Sequence, residues 1–352
     1  MKLFVPGRLC LFGEHSDWAA KYRCSNPSLG KGYALIAGLN LGLYARVKPH
    51  PTRLLLRATG NGGAQIGTIE LPMEPEKLLT VARKGGFFSY AAGVTYQIQQ
   101  RYPVGGLEID NYRTDLPIQK GLSSSAALCV LVARAFNYSY NLKLTIREEM
   151  ELAYLGEIVT PSKCGRMDQA CAYGNRLVMM IFDGEHIEIV ELSLRCELFF
   201  VIVDLGGYKN TSKILAALNE AYPVASNERQ KGVQYYLGVA SAEITRSAAI
   251  ALERGEAKEL GELMRKAQGA LDRYLQPACP SQLTAPLLHA LLSHPPLQPH
   301  LWGGKGVGSQ GDGTAQLLVK DRQGQATAIA ILQRDFPQMR GFELTLKPKL
   351  LS

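Results

Sequence analysis

Short apolar runs rich in β-branched and aromatic residues recur early in the chain, as in LFVPGRLCLF, GLYARVKP and RLLLRAT. The Gly, Asn and Pro residues between them predict strands joined by turns. Residues 87–102 change to apolar positions at helical spacing and predict a helix, ending before PVGGLEID, a further strand. SSAALCVLVARAFNYSY predicts a second helix. TIREEMELAYLGEIV predicts a third, opened by Thr145 and Glu148 at capping-box spacing. From residue 176, RLVMMIFDGEHIEIVEL predicts a hairpin turning at Asp183-Gly184, and CELFFVIVDLG a buried strand. Amphipathic helices fill 212–275, a Pro-rich loop covers 277–299, and TAQLLVK reads as a strand near the end.

Length adds a division. At 352 residues the chain exceeds the roughly 250–300 residues at which single cores stop growing, so two domains are expected, 1–190 and 191–352. Hydrophobic residues at 46% and charged ones at 20% exclude a disordered chain. The net charge of +8 is scattered, with no basic run and no aromatic-basic interleaving. That argues against nucleic acid and suits a phosphorylated or carboxylated small ligand. Seven cysteines form no CxxC pair, and several sit in apolar runs as small hydrophobes, which points to a reducing, cytoplasmic setting. Pro6 interrupts the apolar start and no stretch approaches the ~18 apolar residues of a membrane span, so neither leader nor membrane partner is expected.

Four clusters carry candidate chemistry. In PIQKGLSSSAAL a glycine turn enters a helix, leaving free N–H groups, a helix dipole and serine hydroxyls for phosphate or Mg²⁺. A plain serine cap explains the same residues, and no GxxxxGK[ST] loop occurs. In GGKGVGSQGDGTAQLLV, Gly306, Gly308 and Gly311 formally satisfy GxGxxG. A dinucleotide fingerprint needs a strand before and a helix after, whereas a Pro-rich loop precedes and a strand follows. The sequence leaves a plain turn or a glycine loop over a ligand. PGRLCLFGEHSDW crowds Arg8, Glu14, His15 and Asp17 together, suited to a ligand rich in hydroxyls; a metal site lacks the usual spacing. GEIVTPSKCGRMDQ holds Asp168 in a loop and Glu157 at a helix end, where its charge opposes the dipole.

In this order the four clusters resemble the GHMP kinase family, closest to its galactokinase-like sugar kinases, and they span residues 6 to 314. The resemblance implies an α+β fold: a ribosomal-protein-S5-like N-terminal domain, a ferredoxin-like C-terminal domain, and the active site between them. It implies ATP and Mg²⁺ as cofactors and a small sugar phosphorylated at its anomeric hydroxyl. Lys120, Gly121, Leu122, Ser123, Ser124, Ser125, Ala126 and Gly308 would surround the nucleotide, and Ser125 with Glu157 would hold the metal. Asp168 would be the base, Arg8 would stabilise the transferring phosphoryl group, and Glu14, His15, Asp17 and Tyr208 would bind the sugar. The sequence departs from the family pattern in the longer segment 18–35 and at Gln310 and Asp312, where small residues are usual. A kinase of another small alcohol such as mevalonate is the alternative, as is a regulator that binds sugar and ATP without turnover.

Overall fold

The computed structural model describes residues 1–60, 62–116, 122–162 and 164–348. Its strands are β1 (Lys2–Phe12), β2 (Gly32–His50), β3 (Arg53–Thr59), β4 (Gln65–Pro72), β5 (Gly106–Thr114), β6 (Leu177–Asp183), β7 (His186–Leu192), β8 (Leu198–Asp204), β9 (Leu301–Gly306), β10 (Thr314–Val319) and β11 (Arg340–Leu346). The chain forms two compact units, Met1–Leu9 with Gly38–Arg176, and Cys10–Ala37 with Leu177–Ser352. This differs from a single cut near 190. Residues 10–37 join the second unit because Gly32–Ala37 pair with β6 and the carbonyls of Cys10 and Leu11 accept from the buried Gln316 amide. Patterning along the chain does not register such long-range pairing.

In the first unit, β3 pairs antiparallel with β4 and parallel with β5, which in turn pairs with the later half of β2. A parallel pair needs a crossover, supplied by the helices Pro75–Lys84 and Ser89–Gln99. Three helices, Ser89–Gln99, Ser124–Tyr140 and Ile146–Ile158, make the core, where Leu128, Leu131 and Phe136 are fully buried, each worth about 1.5–3 kcal/mol. Gly93 and Gly156 let two of these helices touch backbone to backbone, since a Cβ at Gly93 would overlap the Gly156 carbonyl oxygen. That contact sets the depth of the next residue, Glu157.

In the second unit, the early part of β2 pairs with β6, and β6 with β7 in the expected hairpin, with Asp183 opposite His186. A separate antiparallel sheet runs β11-β8-β10-β9. Val201, Val203 and Leu205 of the β8 segment and Ala315, Leu317 and Val319 of β10 share one core with Ala328, Ile331 and Leu332 of the helix Arg322–Asp335. Two elements here depart from the sequence reading. The Pro-rich stretch 277–299 contains the helices Pro280–Leu283 and Pro286–Leu292, and a strand, β9, takes in the first glycines of the glycine cluster up to Gly306. Its glycines hide it from β-propensity; a strand and not a helix still follows, so the dinucleotide reading remains excluded. No helix among the described residues is long and apolar enough to cross a membrane, and all seven cysteines are free.

Candidate active site

Within the first unit, β1 delivers Arg8 to the serine turn, its N–H donating 3.2 Å to the Leu122 carbonyl. Lys120 and Gly121 of that turn lie outside the described residues. Ser123 takes a left-handed conformation, φ +56°, and starts the helix Ser124–Tyr140 without a side-chain cap. Its hydroxyl donates instead to Asp168 Oδ1, 3.3 Å away. Arg8 Nη2 makes an ion pair with the same oxygen. Among the described residues no donor meets Oδ2, and the Asp168 side chain is 28% exposed. Ser124, Ser125 and Ala126 form the first helical turn, whose N–H groups precede any i→i−4 partner.

Glu157 is 1% exposed. Burial raises its pKa, as does the charge of Asp168, while hydrogen bonds from Ser125, Gln169 and Ser162 partly offset both. Gln169 donates 2.8 Å to Glu157 Oε2, so the residue next to the Asp168 carboxylate holds the other one. The loop is clamped in place: Arg134 donates to Glu149 and to the Ala172 carbonyl at 2.8 and 2.7 Å, and Arg166 pairs with Glu151 at 3.0 Å. Two neighbouring carboxylates with a hydroxyl beside the buried one fit a small divalent cation, which would remove their repulsion. Among the described residues no cluster of three or more His, Cys, Asp or Glu forms a metal cage of its own. Mg²⁺ here would take Ser125 and Glu157 and fill its remaining positions from water or phosphate.

The second unit holds Glu14, His15 and Asp17 on the turn after β1. Glu14 pairs with the Lys305 ammonium, which also donates 2.9 Å to the Gly306 carbonyl; Lys305 is 1% exposed. His15 is in the left-handed region at φ +68° and accepts a hydrogen bond from Trp18 Nε1 on Nδ1, 3.1 Å, which places its proton on Nε2. Burial lowers its pKa to about 4, helped by the charges of Lys209 and Lys305, so the imidazole is neutral. Asp17 Oδ1 accepts from the Trp18 N–H at 2.9 Å. With Glu14 and His15 so engaged, the three do not form a metal site.

The departures from the family pattern have structural work in this unit. The Asp312 carboxylate accepts from the Leu288 N–H, 3.0 Å, at the start of the helix Pro286–Leu292, where helix polarity favours its charge. Gln310 is buried and donates to the Gly306 carbonyl. Segment 18–35 is a brace: Tyr22 stacks on Tyr222 with ring centroids 5.1 Å apart, Asn26 donates 2.9 Å to the Pro223 carbonyl, and Arg23 pairs with Asp183 at 2.6 Å. Trp18 packs edge-on against Tyr222 while holding His15. Gly308, at φ +67°, lies in the turn between β9 and β10. Tyr208 is 79% exposed, and the structure does not bring it to this group; its neighbour Lys209 turns inward instead. Gln169, Lys209 and Lys305 were missed in the sequence, although all three lie within or beside its motifs.

Residues 89–175, which include the serine turn, Glu157 and Asp168, match the family model described as GHMP kinases N terminal domain. Over that stretch the chain is similar to the GHMP kinases. Its sequence is similar to galactokinases: it is 26% identical to that of Thermococcus kodakarensis over 306 residues, 79% of this chain and 80% of that protein. The Lactococcus lactis galactokinase, solved in complex with galactose, superposes with a TM-score of 0.73 at 18% identity, over 99% of this chain and 93% of that one. The Methanococcus jannaschii mevalonate kinase gives 0.68 at 18% identity, over 99% and 98%. The fold by itself therefore does not separate a sugar from mevalonate.

Proposed function

We propose that this protein is an ATP-dependent sugar kinase working in the cytoplasm, transferring a phosphoryl group to the anomeric hydroxyl of a small sugar. The carrying observation is Asp168: one oxygen is held by Arg8 and Ser123, and the other meets no donor among the described residues. That is the arrangement of a base fixed in place with one lone pair left for a hydroxyl. The similarity in sequence to galactokinases supports a sugar over mevalonate.

Mg-ATP supplies the phosphoryl group and neutralises part of its charge. Asp168 holds the acceptor hydroxyl and takes its proton as the oxygen bonds to phosphorus and the bond to the leaving ADP breaks. Arg8 stabilises the charge that develops on the transferring group. The first turn at Ser123–Ala126 would bind phosphate through its N–H groups, Gly308 would add backbone to the nucleotide, and Ser125 and Glu157 would hold the metal. Glu14, His15 and Asp17 bind sugar hydroxyls. ADP release from Mg-ATP, measured against aldoses, uronates, heptoses and mevalonate with Asp168→Asn in parallel, tests this. A sugar-dependent signal lost in the variant is expected; a signal with mevalonate alone, or none with any acceptor, refutes the reading.

A further inference from the structure

Lys209 has no task in the chemistry above. It lies in the segment between β8 and the helix Thr211–Asn219, and that segment is tied down on both sides. The Leu205 N–H donates 3.0 Å to the Gly313 carbonyl, the Asn210 N–H donates 2.7 Å to Gln282 Oε1, and the hydroxyls of Thr211 and Ser309 meet at 2.9 Å. The Lys209 stem lies across the glycine loop: a Cβ on Gly313 would sit 2.8 Å from both its Cε and its Nζ. Its direction and its reach are therefore set by the fold.

The ammonium has no hydrogen-bond or ion-pair partner among the described residues, and burial lowers its pKa. Two carboxylates of this unit are engaged elsewhere. Glu14 is paired with Lys305, and Asp312 is turned to the Leu288 N–H. Next to it, the buried Nε2 of His15 carries a proton that the Ser309 backbone draws on but that meets no acceptor at good hydrogen-bond geometry. A half-buried cation beside an unfilled N–H donor is unfavourable alone and favourable around an oxyanion, which accepts from both.

We propose that Lys209 and His15 together seat a carboxylate or other oxyanionic substituent of the acceptor, so that the acceptor is an acidic sugar and Lys209 is its specificity-determining residue. The inference rests on the sugar-kinase reading, and it deepens that reading by giving the sugar a charge. A neutral hexose would leave the ammonium without a counter-charge, whereas a uronate would complete the group.

The test is calorimetric titration of the Asp168→Asn protein, without nucleotide, with D-galacturonate, D-galactose and galactose 6-phosphate, and separately with Mg-ATP. The acidic sugars should bind roughly ten- to a hundredfold more tightly than galactose. Adding Lys209→Met should collapse that ratio, and Lys209→Arg should preserve most of it. Preference for the phosphosugar over the uronate supports the oxyanion seat and names its occupant. A ratio near one in the parent, a ratio untouched by Lys209→Met, or a loss confined to Mg-ATP overturns the proposal. The two readings fail separately. Equal turnover of galactose and galacturonate by the unmodified enzyme sinks the seat and leaves the kinase, and a Lys209-dependent ratio without ADP release from any sugar sinks the kinase and leaves the seat.

Discussion

Two helices of the first unit begin in opposite ways. Ile146–Ile158 opens with a complete capping box, in which the Thr145 hydroxyl accepts from the Glu148 N–H and the Glu148 carboxylate accepts from the Thr145 N–H at 2.7 Å. Ser124–Tyr140 opens within a run of three serines, yet Ser123 does not cap it and gives its hydroxyl to Asp168. The first start is closed and contributes stability. The second is open, and its first N–H groups, which meet no intrahelical carbonyl, suit the phosphate of the proposed reaction. A helix start rich in capping residues is thus left open when its first hydroxyl is directed elsewhere.

The same capped helix carries a second contrast, at its two ends. Hydrogen bonds from the Thr145 N–H and hydroxyl lower the Glu148 pKa, while burial raises that of Glu157. A lowered carboxylate stabilises the fold above its unfolded pKa near 4.5, and that contribution is lost as pH falls through the folded value. A raised one works in reverse: its contribution is fully present below about 4.5 and is lost as pH rises through the folded value. Near neutral pH, Glu148 therefore supports the fold and Glu157 opposes it.

The strongest way to break the comparison is Asp168→Asn, which should lower kcat about 10²–10⁴-fold while nucleotide still binds, because the open helix start is untouched. Near-normal turnover would remove Asp168 as the base. Next, Ser125→Ala should raise the magnesium concentration for half-maximal activity by roughly tenfold, the worth of one good ligand contact; an unchanged titration would strike Ser125 from the metal site. Glu157→Gln should raise the thermal midpoint of the metal-free protein at pH 7 and flatten its dependence on pH above 4.5, a sign opposite to that of most buried-site substitutions. A fall in the midpoint would mean that Glu157 is structural. Thr145→Ala should cost about 1 kcal/mol in denaturant unfolding with kcat unchanged. The smallest effect belongs to Ser123→Ala, with stability altered by no more than about 0.5 kcal/mol because no cap is lost; a loss equal to that of Thr145→Ala would show that Ser123 caps after all.

In the second unit His15 gives a further pH signature. Its folded pKa of about 4 lies below the ordinary 6.5, so the stability it contributes is present above pH 6.5 and is lost as pH falls toward 4, by about 3 kcal/mol in all. His15→Gln should flatten unfolding free energy between those limits, and a slope identical to that of the parent would contradict a buried neutral imidazole.

Much of this was legible in the chain. The capping box at Thr145 and Glu148, the Asp183-Gly184 hairpin and the helix after the serines are local features, governed by neighbours within a few residues, and sequence spacing records them directly. The order of the four clusters pointed to the family because each depends on a short contiguous stretch. Other features depend on partners far along the chain. Gln316 reaches the carbonyls of Cys10 and Leu11, which draws residues 10–37 into the second unit, and no local pattern encodes that reach. The glycines of β9 carry no strand propensity and are ordered by pairing with β10. Of two adjacent residues, the family resemblance implied Tyr208 as a sugar contact; it is 79% exposed, while Lys209 is half-buried. Spacing told which residues share a motif; only packing told whether Ser123 caps its helix, whether Asp312 turns to a helix N–H, and that Lys209 is half-buried with no ion-pair partner among the described residues, because each of those answers depends on burial and on distant partners.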